Sequence, residues 1–235
     1  MSFQEMPAGT FIAGRALHLH SAYRFNGSII GKCQECHRFF LQSPSLPGFH
    51  HSVPIVFTDG ACLDNHLPQR RRRTGYGVVL GTDPEDQFSF SFNGLEERLN
   101  HKAELRGVQK GLELGMQAVM EECWYENPVD TFVVFTDSWY AVQGITEQMP
   151  NWHLVNNEFR TPRVGERGGR LVENEPFFRG IEFTMRQIEG SGVRVGLFCV
   201  PRGSNTIANR LAGLGAQNDQ GAFINTGYLG FSWFA

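Results

Sequence analysis

Two short apolar runs, each closed by Thr-Asp, constrain this chain more than any other feature. Ile55-Val56-Phe57 leads into Thr58-Asp59, and Phe132-Val133-Val134-Phe135 leads into Thr136-Asp137. Runs of this length, bounded by turn-type residues, read as strands buried on both faces. A carboxylate at the end of such a strand lies at the rim of the sheet, where open α/β folds build their sites. A third acid, Glu104, opens the amphipathic stretch Ala103 to Val108. Hard divalent cations such as Mg²⁺ take carboxylate oxygens, so three converging acids read as a metal cluster. Any one of them alone would be an exposed turn carboxylate.

The pattern between and beyond these runs is orderly from Val53 onward. Ile55 to Thr58, Gly75 to Leu80 and the alternating Phe88, Phe90 and Phe92 predict three strands with short connections, an antiparallel meander. Leu105, Val108, Leu112 and Val119 fall at helical spacing. Phe132 to Phe135 is a fourth strand and Ser138 to Ile145 a short helix. Phe177 to Ile188 is a further helix, Val193 to Val200 a fifth strand, and Asn205 to Ala216 the closing helix. The expected fold is α/β, a five-stranded mixed sheet with helices on both faces. Residues 53–217 would form this domain, between an irregular extension over 1–52 and a tail over 218–235.

Composition narrows the function. A 41% hydrophobic fraction supports a sizeable core, and a net charge of −3 excludes a globally basic nucleic-acid binder. Polyanion contacts must therefore be local, and Arg70-Arg71-Arg72-Arg73 is the dense basic run, either a solvated loop or a phosphate contact. Five cysteines, an odd number, fit a reducing compartment better than a disulfide framework. No secretory signal or membrane-spanning stretch is read, so an intracellular protein is expected, in nucleus or cytoplasm. The first 34 residues hold one acid, Glu5, against Arg15, Arg24 and Lys32, a balance compatible with mitochondrial targeting but plainer as an extension.

Cys33-Gln34-Glu35-Cys36-His37 has haem-attachment spacing without the export signal that chemistry requires. Zinc held by Cys33, Cys36 and two of His37, His50 and His51 would have suitable donors. A second Cys pair is missing and the His spacing is irregular, which favours a plain extension.

Three strings carry a resemblance. Val56-Phe57-Thr58-Asp59-Gly60-Ala61-Cys62, then Lys102-Ala103-Glu104-Leu105, then Phe135 to Thr146 with its Asp-Ser-x-Tyr and Gly-Ile-Thr, resemble the catalytic blocks of the type 1 ribonuclease H family. They stand in that family's order, and the resemblance spans roughly Val53 to Ala216. It implies hydrolysis of the RNA strand of RNA–DNA hybrids with two Mg²⁺ or Mn²⁺ ions. Asp59, Glu104 and Asp137 would be the ligands, Asp59 bridging both ions. It further implies hybrid contacts from the backbone near Cys62 and from Asn65, Asn100, Asn151 and Trp152. Ser138 and Tyr140 read as scaffold beside the site, and Trp152 taken alone as core.

The chain also departs from that pattern. Val200-Pro201-Arg202-Gly203-Ser204-Asn205-Thr206-Ile207-Ala208-Asn209-Arg210-Leu211-Ala212 resembles the last block of a subgroup, but Asn209 stands where a fourth catalytic and metal-binding Asp is expected. An amide carbonyl ligates without charge, so the second ion should bind more weakly. Asp219, ten residues on, is roughly 15 Å away along a helix and no substitute. Leu99 replaces a phosphate-binding Thr, the loop before the last block lacks a His, and His153 to Glu158 lacks the basic character of many relatives. The expected protein is a ribonuclease H, monomeric and without membrane association. The competing reading is a catalytically impaired module that binds hybrid or RNA. No protein partner is indicated.

Overall fold

Side-chain alternation along the apolar runs fixes the layering. A computed structural model describes residues 30–41, 53–92, 98–119, 129, 131–162 and 169–218, and the backbone of 224–225. In chain order it contains β1 (Ile30–Lys32), β2 (Phe39–Leu41), β3 (Ile55–Leu63), β4 (Arg73–Val79) and β5 (Gln87–Phe92). Then come α1 (Asn100–Val119), β6 (Thr131–Thr136), α2 (Trp139–Gln143), β7 (His153–Val155) and β8 (Glu158–Arg160). The chain continues through α3 (Glu175–Gly190), β9 (Arg194–Cys199), α4 (Thr206–Gln217) and β10 (Ile224–Asn225).

The main sheet has the order β10-β5-β4-β3-β6-β9. β3, β4 and β5 form the antiparallel meander, while β6 and β9 join parallel to β3. The five-stranded mixed sheet read from the sequence is therefore present, and β10 adds two residues at the β5 edge.

Val56, Val134 and Leu197 pack on one face with Leu105, Val108 and Leu112 of α1 and with Ile181 and Met185 of α3. Their sequence neighbours Ile55, Val133 and Phe135 turn to the opposite face. One continuous apolar run thus feeds two cores, each large aliphatic contributing about 1.5–3 kcal/mol on burial. On the second face α4 lies against β4, where a Cβ on Gly77 would come 2.4 Å from the Ala208 carbonyl oxygen. Only a glycine admits the helix this closely.

The same face carries a correction to the irregular extension expected over 1–52. Residues 30–41 form the β1–β2 hairpin, with Ile30, Phe39 and Leu41 packed on Ile55, Val133 and Phe135. Backbone bonds join Phe39 N to Leu80 O at 2.9 Å and Leu41 N to Val53 O at 2.8 Å. A His37–Asp83 hydrogen bond at 2.8 Å and an Arg38–Asp86 ion pair at 3.0 Å secure its turn. Three-residue strands carry no periodicity of their own, so docking rather than local propensity orders them. Residues 1–29 and 42–52, with His50 and His51, lie outside the described residues.

No described helix is long and apolar enough to cross a membrane.

Candidate active site

β3 and β6 run parallel in a register that pairs Thr58 with Thr136. Asp59 and Asp137 follow these threonines, Asp137 just past the end of β6 and Asp59 midway along β3, which runs on to Leu63 beyond the expected end at Thr58, so adjacency follows from two matching Thr-Asp pairs in neighbouring parallel strands. The two carboxyl groups are close enough for the charge of Asp137 to bear on Asp59. Glu104 arrives from the first turns of α1, and Gly60 is what lets it approach. A Cβ on Gly60 would lie 2.1 Å from the Glu104 backbone nitrogen, so any larger residue would push the helix off the strand.

Each acid is then held. Asp59 Oδ1 accepts the Gly60 N–H at 2.8 Å. Glu104 Oε1 accepts from Asn100 Nδ2 at 2.6 Å, and Oε2 from Ser138 Oγ at 2.6 Å. Ser138 also caps α2 through the Ala141 N–H at 3.2 Å, so its position is fixed by the helix it starts. Asp137 Oδ1 accepts from Asn205 Nδ2 at 2.8 Å, and the same amide donates to Thr58 O at 2.9 Å. Both neighbours of that amide are acceptors, which fixes the nitrogen as the inward atom. Asn205 Oδ1 is buried with no hydrogen-bond partner among the described residues.

The electrostatics are those of acids crowded away from water. Burial first, and then the charge of Asp137, push the Asp59 carboxyl up to about 7, against the opposing pull of the Gly60 N–H and Arg202. Burial also raises Glu104, against the Ser138 hydrogen bond and the nearby His101 and Arg202. A carboxylate that resists ionisation beside others is a site that gains from a bound cation. The donors are hard oxygens suited to Mg²⁺ or Mn²⁺, so Asp59, Glu104 and Asp137 fit such an ion. They do not form a closed shell, since no three His, Cys, Asp or Glu side chains among the described residues are already gathered at ligating distance.

The remaining sequence candidates divide. Asn209 sits one turn after Asn205 on α4, on the same helix face and half-exposed, with no side-chain hydrogen bond among the described residues. Asn100 faces Glu104 rather than solvent. Cys62 is buried, its thiol directed to Arg98 O at 3.5 Å, and only its backbone belongs to the strand surface. Asn65 is exposed beyond the end of β3. Asn151 is exposed and donates to Glu147 O at 2.7 Å. Trp152 is half-buried, packed on Phe178 at 4.9 Å and Phe159 at 5.9 Å between ring centroids. Tyr140 accepts from Asn174 at 2.8 Å and stacks on His101 at 4.3 Å.

For the zinc alternative, Cys33 Sγ accepts from the N–H groups of Glu35 at 3.4 Å and Cys36 at 3.5 Å, and His37 is committed to Asp83. No further ligand stands beside the cysteines among the described residues.

Asn205, His101 and Arg202 were given no role in the sequence reading. Asn205 alone left a signal, its place in the last block four residues before Asn209.

The RNase H family model matches residues 51–215. Ribonuclease H1 of Mus musculus is 27% identical over 172 residues, covering 71% of this chain and 51% of that protein. Ribonuclease H of Erythrobacter litoralis is 36% identical over 124 residues, 51% of this chain and 73% of that one. Ribonuclease H of Crithidia fasciculata is 31% identical over 127 residues, 46% of this chain and 25% of that one. The chain thus spans 25% and 51% of the Crithidia and mouse proteins, no more than about half of either. Among solved structures, RNase H1 from Halobacterium salinarum superposes with a TM-score of 0.41 at 18% identity, over 71% of this chain and 98% of that one. With the family model matching over most of its length, this chain belongs to the ribonuclease H family.

Proposed function

We propose that the chain hydrolyses the RNA strand of RNA–DNA hybrids, with divalent cations held by Asp59, Glu104 and Asp137. The observation that carries this reading is the approach of these three acids from the middle of β3, the end of β6 and the first turns of α1, with burial pushing Asp59 and Glu104 up. Cations bound there would neutralise the scissile phosphate and activate a water, the chemistry of two-metal phosphodiester hydrolysis. The chain's own residues supply position. Gly60 and Asn205 fix the orientation of the two aspartates, and Asn100 and Ser138 fix Glu104. Arg202, exposed before α4, offsets their charge. Asn209 offers a carbonyl oxygen without charge, and this single feature favours a second reading, a hybrid-binding module with impaired turnover.

The purified protein, incubated with a labelled hybrid and with duplex DNA, separates the two. The enzyme cuts only the RNA of the hybrid, only with Mg²⁺ or Mn²⁺, and Asp59→Asn removes the activity. Binding without cleavage under either ion selects the module. Cation-independent cleavage would mean a different mechanism.

A further inference from the structure

The four consecutive arginines between β3 and β4 are not equivalent. Arg73 Nε pairs with Asp64 Oδ2 at 3.1 Å, and Arg72 Nε donates to Leu67 O at 2.9 Å. The backbone of this turn is tied to itself. Leu67 N bonds Asp64 O at 2.8 Å, Arg71 N bonds Pro68 O at 2.8 Å, and Arg72 N bonds Gln69 O at 3.1 Å. A fifth arginine braces it from another segment, because Arg98 Nη1 donates to Arg70 O at 2.9 Å and to Arg72 O at 2.8 Å. What remains is Arg70 and Arg71. Both are exposed, and neither side chain has a hydrogen bond or ion pair among the described residues.

Three arginines thus hold a turn that presents, on a fixed root, two exposed guanidinium groups unpaired among the described residues. A merely solvated loop would gain nothing from such a brace. A braced turn loses less conformational freedom when its side chains engage a ligand. Guanidinium forks suit phosphate oxygens, which they bind in pairs, and an exposed pair on a protein of net charge −3 is a local anion site. The ligand class follows from position. The turn follows directly on β3, which carries Asp59 and ends at Leu63, so a duplex lying over the acids passes it.

We propose that Arg70 and Arg71 form a phosphate clamp on the backbone of the bound nucleic acid, away from the cut, and that Arg98 is the positioning residue for that clamp. The proposal rests on the hybrid reading above. It assigns the clamp to the sugar–phosphate backbone, so it adds affinity without base preference.

The test uses the full chain carrying Asp59→Asn, so that hybrid is bound and not cut. Affinity for a fluorescent hybrid is measured across a KCl series. Each phosphate contact contributes about 0.9 to the slope of log affinity against log salt for a duplex. Replacing Arg70 and Arg71 together with Ser should flatten that slope by about 1.8. Replacing Arg72 and Arg73 together should flatten it less, and Arg70→Lys with Arg71→Lys should keep most of the slope. Arg98→Met, with the melting temperature followed alongside, should weaken binding in the direction of the Arg70/Arg71 double variant.

A slope unchanged by loss of Arg70 and Arg71, with hybrid still bound, overturns the clamp and leaves the hybrid reading intact. If the Asp59→Asn parent fails to bind hybrid at any salt, the hybrid reading falls and the clamp falls with it.

Discussion

The two walls of the acid site are built to different standards. On the wall formed by β3, α1 and α2, Glu104 has both oxygens bonded and Asp59 rests on its own strand's N–H. Asn100 and Ser138, the donors to Glu104, are themselves fixed by helices. On the wall formed by α4 one amide, Asn205, bridges Thr58 and Asp137, and one turn later Asn209 holds nothing among the described residues. The first wall is over-determined. The second concentrates its order in a single side chain, Asn205. Rigidity here follows the number of independent bonds per acid, so one substitution on α4 should do more harm than one beside Glu104.

The largest effect is therefore expected at Asn205. Asn205→Ala removes the donor to Asp137 and leaves the Thr58 carbonyl unpaired in a buried place. Loss of a partner that orients a metal ligand costs about 10–100-fold in affinity or activity. Cleavage of hybrid should fall in that range, with the divalent ion needed at higher concentration and the KM for hybrid little changed. Asn205→Asp, similar in shape, should not rescue it, because a carboxylate cannot donate to Asp137. Ser138→Ala should fall less, since Asn100 still holds Glu104. Equal losses at Asn205 and Ser138 would erase the contrast between the walls.

A second, smaller effect is read in stability. In the metal-free protein Asp59 keeps its proton up to about pH 7, while an unfolded chain releases it near the ordinary value of 3.8. The folded state binds the extra proton between these values, so the contribution is fully present below about pH 4 and is lost as pH rises towards 7. Glu104 acts with the same sign. Metal-free wild type should therefore lose melting temperature, relative to Asp59→Asn, as pH is raised through this window. Added Mg²⁺ should restore more at pH 8 than at pH 5. Parallel pH profiles for the two proteins would show that the acids are not crowded as described.

Much of this was legible in the sequence, for reasons that are local. The Thr-Asp pairs, the unbroken apolar runs and the Phe88-Phe90-Phe92 alternation depend on neighbours within a few residues, and the five main strands, their meander and the long helices follow from them. What was not legible depends on pairs far apart in the chain. Asn205 acquires its role from Thr58 and Asp137, 147 and 68 residues away. The β1–β2 hairpin exists because Phe39 and Leu41 find a greasy sheet face, and nothing in three-residue strands announces that. Trp152 read alone as core and beside Asn151 as surface. Its rings against Phe178 and Phe159 support the first reading, and its partial exposure leaves an edge for the second.

The smallest effect, and the one that bears most directly on the second wall, is that of Asn209→Asp. If turnover is limited by a weakly held second cation, a carboxylate at this place should tighten that ion. A roughly tenfold tightening corresponds to about 1.4 kcal/mol. Activity should then rise at low Mg²⁺, and the gain should shrink at saturating Mg²⁺, where occupancy no longer limits the rate. The same charge should carry a cost without metal. It adds a fourth acid near Asp59 and Asp137, where Asp59 is already forced up to about 7, so the metal-free variant should melt lower than wild type at neutral pH. Mg²⁺ should reverse that order. The two readouts guard each other, because an Asp that points to solvent would change neither, and an Asp that merely disturbs α4 would lower stability with and without the ion. Superimposable Mg²⁺ titrations of hybrid cleavage for wild type and variant would break the weak-cation account. The neutral wall would then be a feature that turnover does not feel.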